Sequence, residues 1–263
     1  MTNLDSQVYL SRLILDSNCR QVWSELAHPY EMHRTLMRAF PQLPPEERVK
    51  ARHKFGVLFR ADLDEPRQRV IVYLQSHVKP DWSFLEKCPG YLCADADPPN
   101  PASPKDVASA YRRLQAGQVL SFRLRANPTK RVWNSRPGTT VSRGQRIALR
   151  TEKEQIEWLV RKSQERISQN GKDKESPGFE LVMMELKDDA GQVHRVPRIS
   201  IRVEGMQTHR KKEDGSGEIS HLAVRFDGLL RITDPVRFKD TLIRGIGPAK
   251  AFGFGLLSVA RVD

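Results

Sequence analysis

The order of strand-like and helix-like segments constrains this chain more than any other feature, because one pattern, β-α-β-β-α-β, runs through it twice. The alternating, branched-residue run VYLSRLILD (8–16) predicts a strand. ELAHPYEMHRTLMRAF (25–40) has helical spacing, with Met32, Leu36 and Phe40 on one face and Pro29 suited to a first helical turn. PQLPPEE stops it. KFGVLFRADL (54–63) and RVIVYLQSHV (69–78) predict a hairpin, DWSFLEKC a short helix and GYLCADAD a weak strand. ADADPPNPASPKD (94–106) has the Pro and Asp content of a linker, and DVASAYRRLQ leads out of it as a short helix. The second series runs QVLSFRLRANP (118–128), the amphipathic EKEQIEWLVRKSQERI with Ile156, Leu159, Val160 and Ile167 along one side, GFELVMMELKD, HLAVRFDGLLRITD, the helix PVRFKDTLIRGI and a closing strand GLLSVARV. The pattern predicts an α+β chain of two tandem ferredoxin-like (RRM-like) domains. Residues 1–93 form the first, 94–116 the linker and 117–263 the second, with loops at 131–146, 168–176 and 205–218.

The chain's 263 residues, 38% hydrophobic and 29% charged, suffice for real cores. No apolar stretch approaches the roughly 18 to 20 residues that span a bilayer. MTNLDSQVYLSRLILDS has an early acidic residue and no basic-then-apolar leader, so a cytoplasmic, unsecreted protein is expected. Cys19, Cys88 and Cys93 are odd in number and match no zinc spacing, which predicts reduced thiols and no metal site. Lys and Arg number 44 against 32 Asp and Glu, a net charge of +12. The surplus is local: residues 121–150 hold eight Lys or Arg and no carboxylate. A single-sign field of that kind suits a phosphate backbone.

GIGPAKAFGFG (245–255) invites a phosphate-loop reading but fits neither a Walker A motif nor a dinucleotide fingerprint, since position 250 is Lys250 and no strand leads into it. No nucleotide cofactor is implied. The glycines mark a close backbone approach, where free N–H groups and Lys250 suit a phosphate.

HPYEMHR, FRLRANPTKR and GIGPAKAFGFGLLSVA, in that order, resemble the CRISPR-associated endoribonucleases of the type I-E (Cascade) systems, the CasE family within the RAMP superfamily. The resemblance implies two ferredoxin-like domains in a bacterial protein. It also implies metal-free cutting of a precursor transcript at each repeat hairpin, a 2′,3′-cyclic phosphate product, and retention on the guide RNA. The implied partners are the CRISPR repeat hairpin (crRNA) and other Cascade subunits, with no membrane and no small-molecule cofactor.

Such cleavage uses the neighbouring 2′ hydroxyl as nucleophile, and histidine suits the proton steps. Tyr30 and His33, at i and i+3, occupy neighbouring positions of one helical face. The resemblance makes them the catalytic pair, with His33 as general acid, its role as base left open, and Tyr30 positioning the nucleophile. Arg34 is a weaker candidate for the scissile phosphate, and Arg38 follows one turn on. Arg123, Arg125, Lys130, Arg131, Arg143 and Arg146 are expected along the hairpin stem, and Arg210, Lys211 and Lys212 in a loop near the cut. A non-catalytic RNA-binding subunit and a purely structural one remain alternatives; FRLRANP supplies only Phe122 for base stacking.

Overall fold

The computed structural model describes residues 7–48, 50–94, 100, 102–132, 145–167, 174–210 and 218–262. The first half runs β1 (Tyr9–Asp16), α1 (Arg20–Ala27), α2 (Pro29–Met37), β2 (Leu58–Asp64), β3 (Arg69–Ser76) and β4 (Ala102–Asp106). These strands form one antiparallel sheet in the order β2-β3-β1-β4. Alternate residues of β1 and β3, such as Leu13, Leu15, Val70, Val72 and Leu74, pack with Met32, Leu36 and Phe40 into a closed core.

Four expectations change here. The single helix over 25–40 is two helices that break at His28, whose φ of −125° and ψ of 75° are extended. Proline disfavours helical geometry in the residue before it, so Pro29 ends one helix and starts the next. DWSFLEKC yields only the 3₁₀ segment Ser83–Lys87. GYLCADAD makes a single bridge, Leu92 to Leu15. The edge strand is instead β4, inside the segment expected to be a linker, where it pairs with β1 from Ala102 opposite Leu13 to Asp106 opposite Tyr9. Pro104 is tolerated there because an edge strand needs hydrogen bonds on one side only.

The second half runs β5 (Val119–Ala126), α3 (Glu152–Ser163), β6 (Phe179–Leu181), β7 (Ile199–Arg210), β8 (Glu218–Ile232), α4 (Pro235–Arg244) and β9 (Leu257–Arg261). Its sheet has the order β6-β8-β5-β9, and β7 pairs with β8 beyond β6. Both helices start on side-chain caps. Thr151 and Glu154 form a reciprocal capping box on α3, and the Asp234 carboxylate accepts from Val236 N and Arg237 N on α4. The buried face of α3 is Gln155, Trp158 and Leu159, with Val160 packed beside it, so the expected stripe is met at Leu159 and Val160 and joined by Gln155 and Trp158, and Trp158 stacks on Phe226 in the second core. GFELVMMELKD is not one strand. After β6 the chain leaves the sheet as an exposed hairpin, Met183–Lys187 against Val193–Pro197. The loop expected over 205–218 is the upper part of the β7–β8 hairpin, paired from Ile199 opposite Gly228 to Arg210 opposite Glu218 with a register shift between Val203 and Gly205, and residues 211–217 lie outside the described residues.

Each half is thus a ferredoxin-like unit with its own core. Buried polar bonds join the two. Arg60 Nη1 on β2 donates to Ser258 Oγ on β9 at 2.9 Å, and Gln75 Nε2 on β3 donates to the Leu242 carbonyl of α4 at 3.0 Å. Gln75 Oε1 in turn accepts from Tyr111 at 2.9 Å. Among the described residues no helix is long and apolar enough to cross a membrane.

Candidate active site

Helix α2 buries Met32 and Leu36, one turn apart, against the first sheet. That spacing turns Tyr30 and His33 toward the junction of the two units. Tyr30 is 49% exposed, and its ring centroid lies 6.1 Å from that of His33. The His33 imidazole lies parallel to the Phe59 ring of β2, 6.1 Å away. From the other side the glycine segment closes in, and Phe252 places its ring 5.9 Å from Tyr30.

Electrostatics there are set by burial and by cations. Desolvation, reinforced by the nearby Arg52 guanidinium, lowers the His33 imidazole from 6.5 to about 4, so it is neutral near pH 7. Lys250 is also lowered, first by burial and then by the charges of Arg52 and Arg244, while its Nζ donates to the Arg244 carbonyl at the end of α4 at 2.5 Å. Arg52 is thus a charged neighbour of both His33 and Lys250; its own guanidinium donates to the Val57 carbonyl at 3.3 Å. Chemically this is a neutral imidazole and a phenol beside cations, an arrangement that can move a proton and hold an anionic phosphorus centre. Among the described residues no group of three or more His, Cys, Asp or Glu side chains is placed to hold a metal ion.

The predicted cations separate into distinct settings. Lys250 shares the neighbour Arg52 with His33. Arg34 is exposed and ion-paired with Glu31 at 2.7 Å, and Arg38 lies over the Phe84 ring at 4.4 Å. Lys130, Arg131 and Arg146 sit on an exposed two-stranded hairpin, Thr129–Val132 against Gln145–Ala148, where Arg131 and Arg146 are directly opposed; Lys130 reaches Glu154 at 3.2 Å. Arg210 ends β7, while Arg143, Lys211 and Lys212 lie outside the described residues.

Arg123 and Arg125 both sit in ion pairs. Arg125 is only 9% exposed; it pairs with Glu204 at 2.6 Å and lies over the Phe254 ring at 4.8 Å. Arg123 pairs with Asp227 at 2.5 Å and with Asp62 of the other unit at 3.6 Å. Leu120, Phe122 and Leu124 face the core, as alternation predicts. On the polar face of β5, Arg123 reaches across to the first unit, while Arg125 pairs within its own sheet.

Sequence reasoning missed Arg52, Phe252, Asn127 and His221. Arg52 had a signal, the basic run KARHK. Phe252 lies between the glycines of AKAFGFG with nothing local to single it out.

The family model described as CRISPR associated protein matches residues 8–261. The CRISPR-associated endoribonuclease Cse3 of Thermus thermophilus is 36% identical over 256 residues, covering 96% of this chain and 100% of that protein. The CRISPR system Cascade subunit CasE of Escherichia coli K12 is 29% identical over 257 residues, covering 96% and 99%. The solved structure of Thermus thermophilus Cse3 bound to an RNA representing a pre-cleavage complex superposes with a TM-score of 0.66 at 32% identity, covering 97% of this chain and 99% of that one. With a family match along nearly its whole length and relatives that share its two-unit architecture, this chain belongs to the CRISPR-associated protein family.

Proposed function

We propose that this chain is an endoribonuclease of CRISPR RNA processing, which cuts repeat hairpins in precursor crRNA without a metal ion and stays on the guide RNA as a Cascade subunit in the bacterial cytoplasm. The observation that carries this reading is the neutral His33 imidazole beside a half-exposed Tyr30, on a helix facing the cationic glycine segment. The named relatives, an endoribonuclease and a Cascade subunit, support it.

In this reading Tyr30 orients the 2′ hydroxyl. His33, uncharged in the free protein, takes the hydroxyl proton as the 2′ oxygen attacks phosphorus. The P–O5′ bond breaks, the leaving 5′ oxygen is protonated, and the products are a 2′,3′-cyclic phosphate and a 5′ hydroxyl. The scissile phosphate adds the negative charge that the free site lacks and so favours the imidazolium, which can return its proton to the leaving group. Lys250 and Arg52 answer the charge that develops at phosphorus. Lys130, Arg131 and Arg146, with Arg34, Arg38 and the Arg210–Lys212 stretch, supply the phosphate contacts to the stem, while Arg123 ties the two sheets together through Asp62.

The test is incubation with a repeat hairpin in chelator, followed by analysis of the product ends. Wild type yields a cyclic phosphate end, and His33→Ala loses about 10² to 10⁴ in cleavage rate with hairpin affinity preserved. Unchanged cleavage by the variant refutes the assignment. Tight binding by wild type with no cut product refutes the activity.

A further inference from the structure

We infer that Asn127 and His221, both in the second ferredoxin-like unit, are positioning residues for the catalytic pair in the first unit, acting through the ring of Phe252. The inference rests on the reading of Tyr30 and His33 given above and extends it across the junction of the two units.

Tyr30 is half exposed, and the rings beside it are those of His33, on its own helix, and Phe252. What orients Phe252 therefore bears on Tyr30. Phe252 ends the one-turn segment Lys250–Phe252, which Ala249 enters at φ +62° and Gly253 leaves at φ +77°. A left-handed alanine is a strained way to enter a turn, and such a conformation persists only where the surroundings hold it. The surroundings here are the second sheet. The His221 ring on β8 packs on Phe252 with centroids 4.7 Å apart, and it meets Phe254 edge-on at 6.0 Å.

His221 is held in its turn. Asn127, just past the end of β5 and 4% exposed, donates from Nδ2 to His221 Nδ1 at 2.9 Å. That bond fixes both the tautomer and the rotation of the imidazole. Packing alone would be served as well by two apolar side chains, without the cost of burying an amide whose oxygen has no partner among the described residues. A hydrogen-bonded pair instead specifies one ring orientation.

The glycine segment also reaches His33. A Cβ added at Gly253 would sit 3.1 Å from the Phe59 ring, and Phe59 is the ring stacked on His33. One segment thus touches both supports of the pair, Phe252 against Tyr30 and Gly253 against Phe59. None of these contacts requires Asn127 or His221 to touch RNA.

The experiment uses the full-length protein and a repeat hairpin, measuring single-turnover cleavage at saturating protein, hairpin affinity and thermal unfolding. His221→Ala is expected to slow cleavage about tenfold or more while affinity stays within about threefold, the signature of impaired transition-state geometry. Phe252→Leu should reproduce that effect, and the double variant should be no worse than either single change, because both act on one ring-to-ring contact. His221→Phe keeps a flat ring against Phe252 but offers Asn127 no acceptor, so it should stay severalfold slower than wild type, and Asn127→Ala should slow cleavage to a similar extent. A folded His221→Ala that cuts within about twofold of wild type overturns the proposal, as does a parallel loss of rate and affinity, or full recovery of rate by His221→Phe, which would leave the Asn127 bond without a role. If His221→Ala does not fold, Phe252→Leu carries the same test. His33→Ala, run alongside, separates the two readings. Normal cutting by His33→Ala removes the catalytic assignment, whereas an inactive His33→Ala with normal cutting by His221→Ala and Phe252→Leu removes the positioning role alone.

Discussion

Holding His33 uncharged has a consequence for stability that can be measured without RNA. The imidazole takes up its proton at about 4 in the folded chain and near 6.5 in the unfolded one. Between those values the unfolded state binds more protons, so stability rises with pH across the window and falls as the solution is acidified. The gap is worth up to about 3 kcal/mol at about 1.4 kcal/mol per pH unit, of which about 2 kcal/mol is already lost at pH 5. His33→Gln removes the titrating group while keeping a polar side chain of similar reach. Urea unfolding of both proteins at several values from about pH 7.5 down to about pH 4.5 gives the difference in unfolding free energy as a function of pH. That difference is expected to be flat above about pH 7 and then to shift against wild type by about 2 to 3 kcal/mol on acidification. Parallel curves for the two proteins would show that His33 is not held neutral, and the account of its burial beside Arg52 would be wrong. In the proposed mechanism hairpin RNA brings phosphate to the same imidazole, so binding near pH 6 is expected to take up protons in wild type and less so in His33→Gln.

The other predictions follow from the hydrogen bonds and ion pairs of the two units. The buried Glu25 carboxylate accepts from Tyr91 at 2.6 Å, Thr35 of α2 at 2.7 Å and Gln21 at 2.8 Å, which fastens α2 to α1. Tyr91→Phe should cost about 1–3 kcal/mol in urea unfolding by leaving that carboxylate short of a donor. Arg125→Ala strands the partly exposed Glu204. It should destabilise the fold by somewhat less than a fully buried pair would, for which about 3–5 kcal/mol is typical, with little change in the salt dependence of hairpin binding. Lys130→Glu together with Arg131→Glu should instead leave unfolding nearly unchanged and lower the slope of log affinity against log salt by about 1 for each phosphate no longer neutralised. An unchanged slope would mean that the exposed hairpin faces away from the RNA.

Much of the fold is legible in local pattern. Alternation along β1, β3 and β5 and the Met32–Leu36 spacing are short-range signals, and they place those strands and the helix that carries Tyr30 and His33. The misreadings came where a distant partner decided the outcome. Residues 102–106 read as a linker because Pro and Asp discourage a strand, yet β1 offers them an open edge. Residues 205–210 read as a loop because their polar side chains carry no alternation, yet they have β8 to pair with.

The site divides in the same way. Tyr30 and His33 lie three residues apart on one helix, so the sequence by itself determined that they are neighbours, and the strand-helix order determined the two ferredoxin-like units. What surrounds the pair was decided only by tertiary structure. Phe252, Arg52, His221 and Asn127 come from four separate stretches, and the ion pairs that Arg123 and Arg125 make on the polar face of β5 join residues far apart in the chain. Helical and strand periodicity report which side of an element is apolar. They cannot report which other element will lie against its polar side, because that pairing is made between residues far apart in the chain, as between Arg60 and Ser258.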